Sequence, residues 1–167
     1  MTVNASDSVR EFAGSELFER AFQEGMTLVE EAAAYLDGEG RRDSKLLSRN
    51  AALAYAGESM RLTTRLMQVA SWLLVQRAVR EGNMTAESAG EARYRIGETQ
   101  PRPAPGSAPD DAEPLPEPLL SLAERSQRLF ERVSKLDRRM YGDAASGGAA
   151  DANTVMAQFE RLRAAFG

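Results

Sequence analysis

Residues 43–81 read DSKLLSRNAALAYAGESMRLTTRLMQVASWLLVQRAVRE, and this stretch decides the fold. It contains no proline and a single glycine, and every seventh position along one line is apolar: Leu46, Leu53, Met60, Met67 and Leu74. A second apolar group widens the arc: Leu62, Leu66, Val69 and Leu73. An arc this broad predicts one long helix that packs against two neighbours. Asp43 or Ser44 is its predicted N-cap, and Gly82-Asn83 is its predicted end.

Two more helices are predicted on either side of this one. The first covers about residues 17–36, where apolar residues lie three and four apart, and Asp37-Gly38-Glu39-Gly40 ends it. The last covers about residues 119–141, with the alternating three- and four-residue spacing of a bundle helix. Together the three helices predict an all-α fold, an antiparallel three-helix bundle within residues 15–141.

Three segments outside these helices are predicted to be flexible. Residues 1–14 form a polar N-terminus, and all seven prolines of the chain lie between Pro101 and Pro118. The proline-rich composition predicts a disordered linker over residues 97–117 that interrupts the bundle. The tail, residues 142–167, is predicted to be flexible and to carry one short amphipathic helix.

Composition narrows the classes of function. The chain has neither cysteine nor histidine, so it lacks the usual metal ligands, the usual general base and any disulfide. The carboxylate pairs Glu30-Glu31 and Asp110-Asp111 are predicted to stay hydrated, so an enzyme is disfavoured. We therefore expect no catalytic residue, no metal site and no cofactor.

Charge and hydropathy exclude two further kinds of partner. Between Gly97 and Pro118 lie five of the 25 acidic residues but only one of the 21 basic residues, so the charges of the remaining chain balance. An even balance argues against nucleic acid as a partner. No apolar run is long enough for membrane insertion, and residues 1–14 lack the pattern of a secretory signal, so we expect a cytoplasmic protein.

Several stretches resemble the alphaproteobacterial regulator of CtrA degradation. The longest is LAYAGESMRLTTRLMQVASWLLVQRAV at residues 53–79. Shorter ones are EGMTLVEE at residues 24–31, AYLDG at 34–38, EGNMT at 81–85 and SQRL at 126–129. The resemblance covers roughly residues 17–141 without the linker.

Membership of this family of proteolytic adaptors implies a three-helix bundle that forms a homodimer. It also implies an adaptor that delivers cell-cycle regulators to a Clp-type AAA+ protease (ClpXP), together with a priming response regulator, and is recruited to a cell pole. If the resemblance does not extend to function, the alternative is a dimeric helical protein-interaction module with an unrelated regulatory partner.

One candidate partner-binding patch lies on the second predicted helix. At about 100° per residue, a predicted solvated stripe contains Glu58, Arg61, Arg65 and Gln68. Trp72, Val75 and Val79 fall on the same stripe, and Trp72 is the only tryptophan in the chain. An apolar patch on an otherwise polar face predicts a dimer or partner contact. The alternative is that residues 84–95 or the first helix cover it.

Two further candidates lie toward the C-terminus. Arg125, Arg128 and Arg132, on or near one face of the third helix, could dock an acidic partner such as a receiver domain. They could equally pair with the acidic first helix or remain solvated. Phe159, Leu162 and Phe166 in the tail predict a tethered docking peptide. The alternative there is a helix that folds back on the bundle.

Overall fold

The computed structural model describes residues 15–97 and 113–142, together with the single positions Glu11 and Arg163. The elements are α1 (Glu16–Asp37), α2 (Glu39–Lys45), α3 (Arg49–Arg80), α4 (Ala86–Ala89), a 3-10 turn (Ala92–Tyr94) and α5 (Glu117–Tyr141). All regular structure in these parts of the chain is helical, which confirms the predicted fold class. Most of the predicted N-terminal segment, linker and tail lies outside the described residues.

Serine hydroxyls set the starts of the first two long helices. Ser15 Oγ accepts a hydrogen bond from the Phe18 amide at 3.3 Å, and Ser48 Oγ accepts one from the Ala51 amide at 3.3 Å. The prediction that Asp43 or Ser44 caps the long helix is therefore wrong. Residues 39–45 form the separate short helix α2, and the Asp43 carboxylate accepts a hydrogen bond from the Tyr35 hydroxyl at 3.0 Å instead.

The contacts between the long helices give their directions. Glu24 and Glu31 of α1 form ion pairs with Arg132 and Arg125 of α5, so numbers rise along one helix as they fall along the other. Helix α1 is also antiparallel to α3, because Arg80 near the end of α3 forms an ion pair with Glu19 near the start of α1.

Helices α3 and α5 run parallel. Three hydrogen-bonded pairs advance together along both helices: Arg65 with Ser126, Trp72 with Asp137, and Gln76 with Tyr141. At ~1.5 Å per residue α3 is about 48 Å long, so the chain must travel that distance back before α5 can begin. This geometry explains why residues 81–116 are a long connection and not a tight turn.

The core lies along the common axis of the three long helices. Its largest fully buried apolar side chains come from all three: Phe18, Leu28, Leu62, Val69, Trp72, Leu73, Leu119, Leu129 and Val133. Helix α1 approaches α3 closely at Gly25, where an added Cβ would lie 2.7 Å from Leu73 Cδ1. None of the described helices combines the length and hydropathy that crossing a membrane requires.

Candidate protein-interaction surfaces

A line of large apolar side chains projects from α3 away from α1 and α5. Leu53, Met60, Met67 and Leu74 are 67%, 71%, 65% and 51% exposed. We call these four residues the α3 ridge. Leu46 continues the line onto the turn before α3 and is also exposed. Exposed apolar side chains that lie in one line are typical of a surface that binds another protein.

The residues beside the α3 ridge are small and uncharged. The flanking positions are Ala56, Gly57, Thr63, Thr64, Ala70 and Ser71. The Thr63 hydroxyl donates to the Ser59 carbonyl of its own helix at 2.8 Å, so its hydrogen bond would survive removal from water. A line of large apolar side chains with small residues on both sides allows another helix to approach closely.

The sequence predicted the ridge residues as part of the arc that packs against two neighbours. Helix α3 does pack against both α1 and α5, but other side chains make those contacts: Leu62, Leu66, Val69 and Leu73. Met60 and Leu62 are two positions apart, which is about 200° around a helix. The two apolar groups therefore occupy opposite faces, and the seven-residue repeat marks the outer one.

The predicted patch around Trp72 is not a free surface. Trp72 is only 1% exposed, and its Nε1 donates to Asp137 Oδ1 at 3.0 Å. Val75 and Val79 are half-buried. The segment from Arg93 to Gly97 lies over this part of α3, so the prediction of an exposed contact at Trp72 is wrong. The alternative that residues 84–95 cover this patch is confirmed in part, because α4 and the 3-10 turn pack against α3, but α5 covers Trp72 as well.

The prediction of a solvated stripe on α3 is also wrong in part, because α5 covers Arg65. Arg65 is 6% exposed, and its Nη1 donates to Ser126 Oγ at 2.8 Å and to the Ala123 carbonyl at 3.3 Å. Burial lowers the pKa of the Arg65 guanidinium from its ordinary value. The half-buried Glu58 and Arg61, which precede Arg65 on the same helix, form an ion pair with each other. Helical periodicity cannot show that a polar stripe faces a neighbour when that neighbour offers hydrogen-bond acceptors.

The three predicted arginines of α5 are all paired. Arg125 contacts Glu31 at 2.6 Å and Arg132 contacts Glu24, both across to α1, whereas Arg128 pairs with Glu124 of its own helix. The hydrogen bond from Arg125 lowers the pKa of the Glu31 carboxyl and raises that of the guanidinium. This arrangement supports the alternative of pairing with the acidic first helix.

The arginine pairs are solvent-exposed, so their geometry leaves them open to competition from an acidic partner. The predicted tail residues Phe159, Leu162 and Phe166 lie outside the described residues.

Comparisons with known proteins identify the family to which this helical fold belongs. The family described as "Protein of unknown function (DUF1465)" matches residues 9–166. The crystal structure of RcdA from Caulobacter crescentus CB15 is 60% identical in sequence, with a TM-score of 0.65, and the match covers 80% of this chain and 98% of that chain. The chain belongs to the RcdA-like family. This confirms the family resemblance predicted from the sequence. No curated protein is similar enough to count as a match.

Proposed function

We propose that the protein is a proteolytic adaptor that catalyses no reaction itself. It delivers cell-cycle regulatory proteins to a Clp-type AAA+ protease, acting in the cytoplasm with a priming response regulator. The family relationship supports the pathway. The observation in the structure that supports a binding role is the α3 ridge, an apolar surface left open on an otherwise well-packed bundle.

The first partner of the α3 ridge is, in this proposal, a second copy of the chain. The pattern of residue sizes along this face reads nearly the same in both directions about its centre, Thr63-Thr64. Reversal exchanges Leu53 with Leu74 and Met60 with Met67. It also exchanges the small flanking residues: Ala56 with Ser71 and Gly57 with Ala70.

Such a pattern is self-complementary for two antiparallel helices related by a two-fold axis. A two-fold interface uses the same patch on both copies, so each large residue must meet a suitable position on an identical surface. From Leu53 to Leu74 the face extends about 32 Å at ~1.5 Å per residue, enough for four layers of large side chains. No charged residue interrupts the ridge or its flanking positions, so pairing buries no like charges.

A homodimer suits delivery because it presents two copies of each surface that lies outside the dimer interface. Two linked copies raise the effective concentration of a second contact without a stronger individual contact. In the proposal, additional, weaker contacts come from the exposed arginines of α5 and from the tail, namely Arg125, Arg128, Arg132, Phe159, Leu162 and Phe166. Truncation after Tyr141 tests the tail: partner binding should weaken while helicity is retained, and unchanged binding would remove the tail from the proposal.

The test of the adaptor is a reconstituted degradation assay with the Clp protease, the priming response regulator and candidate cell-cycle substrates. We expect at least one substrate to be degraded faster when the protein is present. The ridge variant Met60→Glu/Met67→Glu should lose this effect. The control is Leu17→Glu, which places one added carboxylate on an exposed leucine of α1 outside the ridge and should retain the effect.

Two results would contradict the proposal in different ways. If folded wild-type protein accelerates no substrate, the adaptor role is wrong, and the alternative of an interaction module with an unrelated regulatory partner remains. If wild-type protein and the ridge variant are equally active, the adaptor role stands but the ridge has no part in it.

A further inference from the structure

A short segment crosses the boundary between α3 and α5 before the second predicted flexible region. It comprises residues 91–97, which we call the strap. Its first three side chains are exposed, Tyr94 and Arg95 are half-buried, and Ile96 reaches the core cluster. The 3-10 turn of the strap packs against α3, and the strap lines one groove together with Trp72 and Val75, the residues that sequence periodicity alone places on an open face.

A single arginine anchors the strap to the bundle. Arg95 Nε lies 2.9 Å from both carboxylate oxygens of Asp137, and its Nη2 donates to the Gly142 carbonyl at 3.0 Å. The guanidinium also lies 5.4 Å from the centre of the Tyr141 ring. Asp137 is 3% exposed and accepts the Trp72 indole hydrogen as well. Arg95 therefore supplies the charge that compensates a buried carboxylate.

Elsewhere the strap is held weakly. Open grooves of about 550 Å³ and 280 Å³ flank it, one toward Gln68 and Val75 of α3 and one toward Phe130 of α5. The Tyr94 and Arg95 amides donate to carbonyls within the turn, and the Glu91 amide donates to the Ser88 carbonyl just before it. Across residues 15–97 and 113–142, no backbone hydrogen bond joins the strap to α3 or α5. A segment held by one ion pair and one buried apolar side chain, with open grooves along its sides, opens at a lower free energy than the helices beneath it.

We propose that the strap is a releasable cover. When the Arg95–Asp137 ion pair breaks, the strap lifts as a local unit and exposes Trp72 and Val75 while the three long helices remain folded. The groove under its α3 side is lined partly by Thr64, Met67 and Ser71, which belong to the ridge face. Lifting therefore widens the apolar surface beside the ridge. This inference stands independently of the proposed adaptor role.

Trp72 provides the readout because it is the only tryptophan in the chain. The test variant is Arg95→Ala/Asp137→Asn, since removal of Arg95 alone would leave a buried charge without its partner. An asparagine at position 137 keeps an oxygen for the indole hydrogen. The matched control is Arg93→Ala, which removes a strap arginine whose ion pair with Glu91 is exposed.

The measurement combines acrylamide quenching of Trp72 fluorescence with amide hydrogen exchange. For the double variant we expect the quenching constant to rise about twofold or more, while the α3 amides keep their protection from hydrogen exchange. The Arg93→Ala control should match wild type. Unchanged quenching in the folded double variant would overturn the proposal, as would a rise accompanied by equal loss of protection throughout α3.

A second measurement needs no substitution. In wild-type protein, the Trp72 indole hydrogen, which is donated to buried Asp137, should exchange through an opening with a lower free energy than global unfolding, measured by hydrogen exchange at low denaturant concentrations. If this hydrogen exchanges only with global unfolding, the strap does not open locally and the inference is wrong.

Discussion

The two faces of α3 carry similar side chains and have opposite environments. On the inner face, Leu62 and Leu73 are fully buried, and Val69 is 1% exposed. On the outer face, Met60 and Met67 are each more than half exposed. The difference comes from where α1 and α5 pack, and not from the chemistry of the residues. An apolar side chain contributes to the bundle only where a second element covers it.

The two faces of α3 therefore have different roles. The inner face stabilises a single chain, whereas the outer face gains stability only when a partner arrives. Substitutions of similar size on the two faces should therefore affect different quantities, namely the free energy of unfolding of one chain and the free energy of association.

The largest expected effect is on the inner face. Leu62→Ala should lower the free energy of unfolding by about 2–5 kcal/mol, because it leaves a cavity among α1, α3 and α5. Met60→Ala on the outer face should change the unfolding of the dissociated chain by less than about 0.5 kcal/mol. Urea unfolding at protein concentrations low enough to dissociate any dimer measures both. Equal losses for the two variants would mean that the two faces are not distinct.

The sequence predicted the helices well and their faces less well. Ser15, Gly38 and Gly142 lie at ends that local rules identify, so the bounds of α1 and α5 agree with prediction to within about two residues. Residues 43–81, however, contain two apolar lines, and periodicity alone does not say which one faces inward. That choice depends on α1 and α5, whose packing is not a local property of α3.

An intermediate effect is expected at the border between the two faces. Trp72→Phe keeps an aromatic ring in the core but removes the donor to Asp137. Since that carboxylate is buried, the loss should lower the free energy of unfolding by about 1–3 kcal/mol. Denaturant unfolding followed by circular dichroism measures it. A change below about 0.5 kcal/mol would show that Arg95 alone satisfies Asp137.

The role of Trp72 illustrates a second limit of the sequence. The angle of about 100° per residue correctly places Trp72 on a polar stripe of α3, but this stripe faces α5 and the strap. Arg65 and Asp137 find hydrogen-bond partners there that lie more than 40 positions away in the chain. Polar residues buried by such distant partners cannot be distinguished from solvated ones by local periodicity.

The smallest expected effect is on the exposed charges. Arg125 lowers the pKa of Glu31 in the folded chain, so this pair stabilises the fold above the unfolded pKa of about 4.3. Its contribution disappears as pH falls through the lower folded pKa. Because both side chains are exposed, Glu31→Gln should lower stability at pH 7 by less than about 0.5 kcal/mol.

Unfolding of Glu31→Gln and wild type at pH 7 and below pH 4 measures this effect. The two proteins should converge on acidification. A difference that grows as pH falls would show that the pair has the opposite linkage.

The most direct test of the α3 ridge as a dimer interface is the molar mass in solution. It is measured by sedimentation equilibrium for wild type, Met60→Glu/Met67→Glu and the Leu17→Glu control. If the outer face of α3 is an interface between two copies, wild type and the control should be dimers, and the ridge variant should be a folded monomer. A monomeric wild type at micromolar concentration, or a ridge variant that remains a dimer, would contradict the assignment of the α3 ridge.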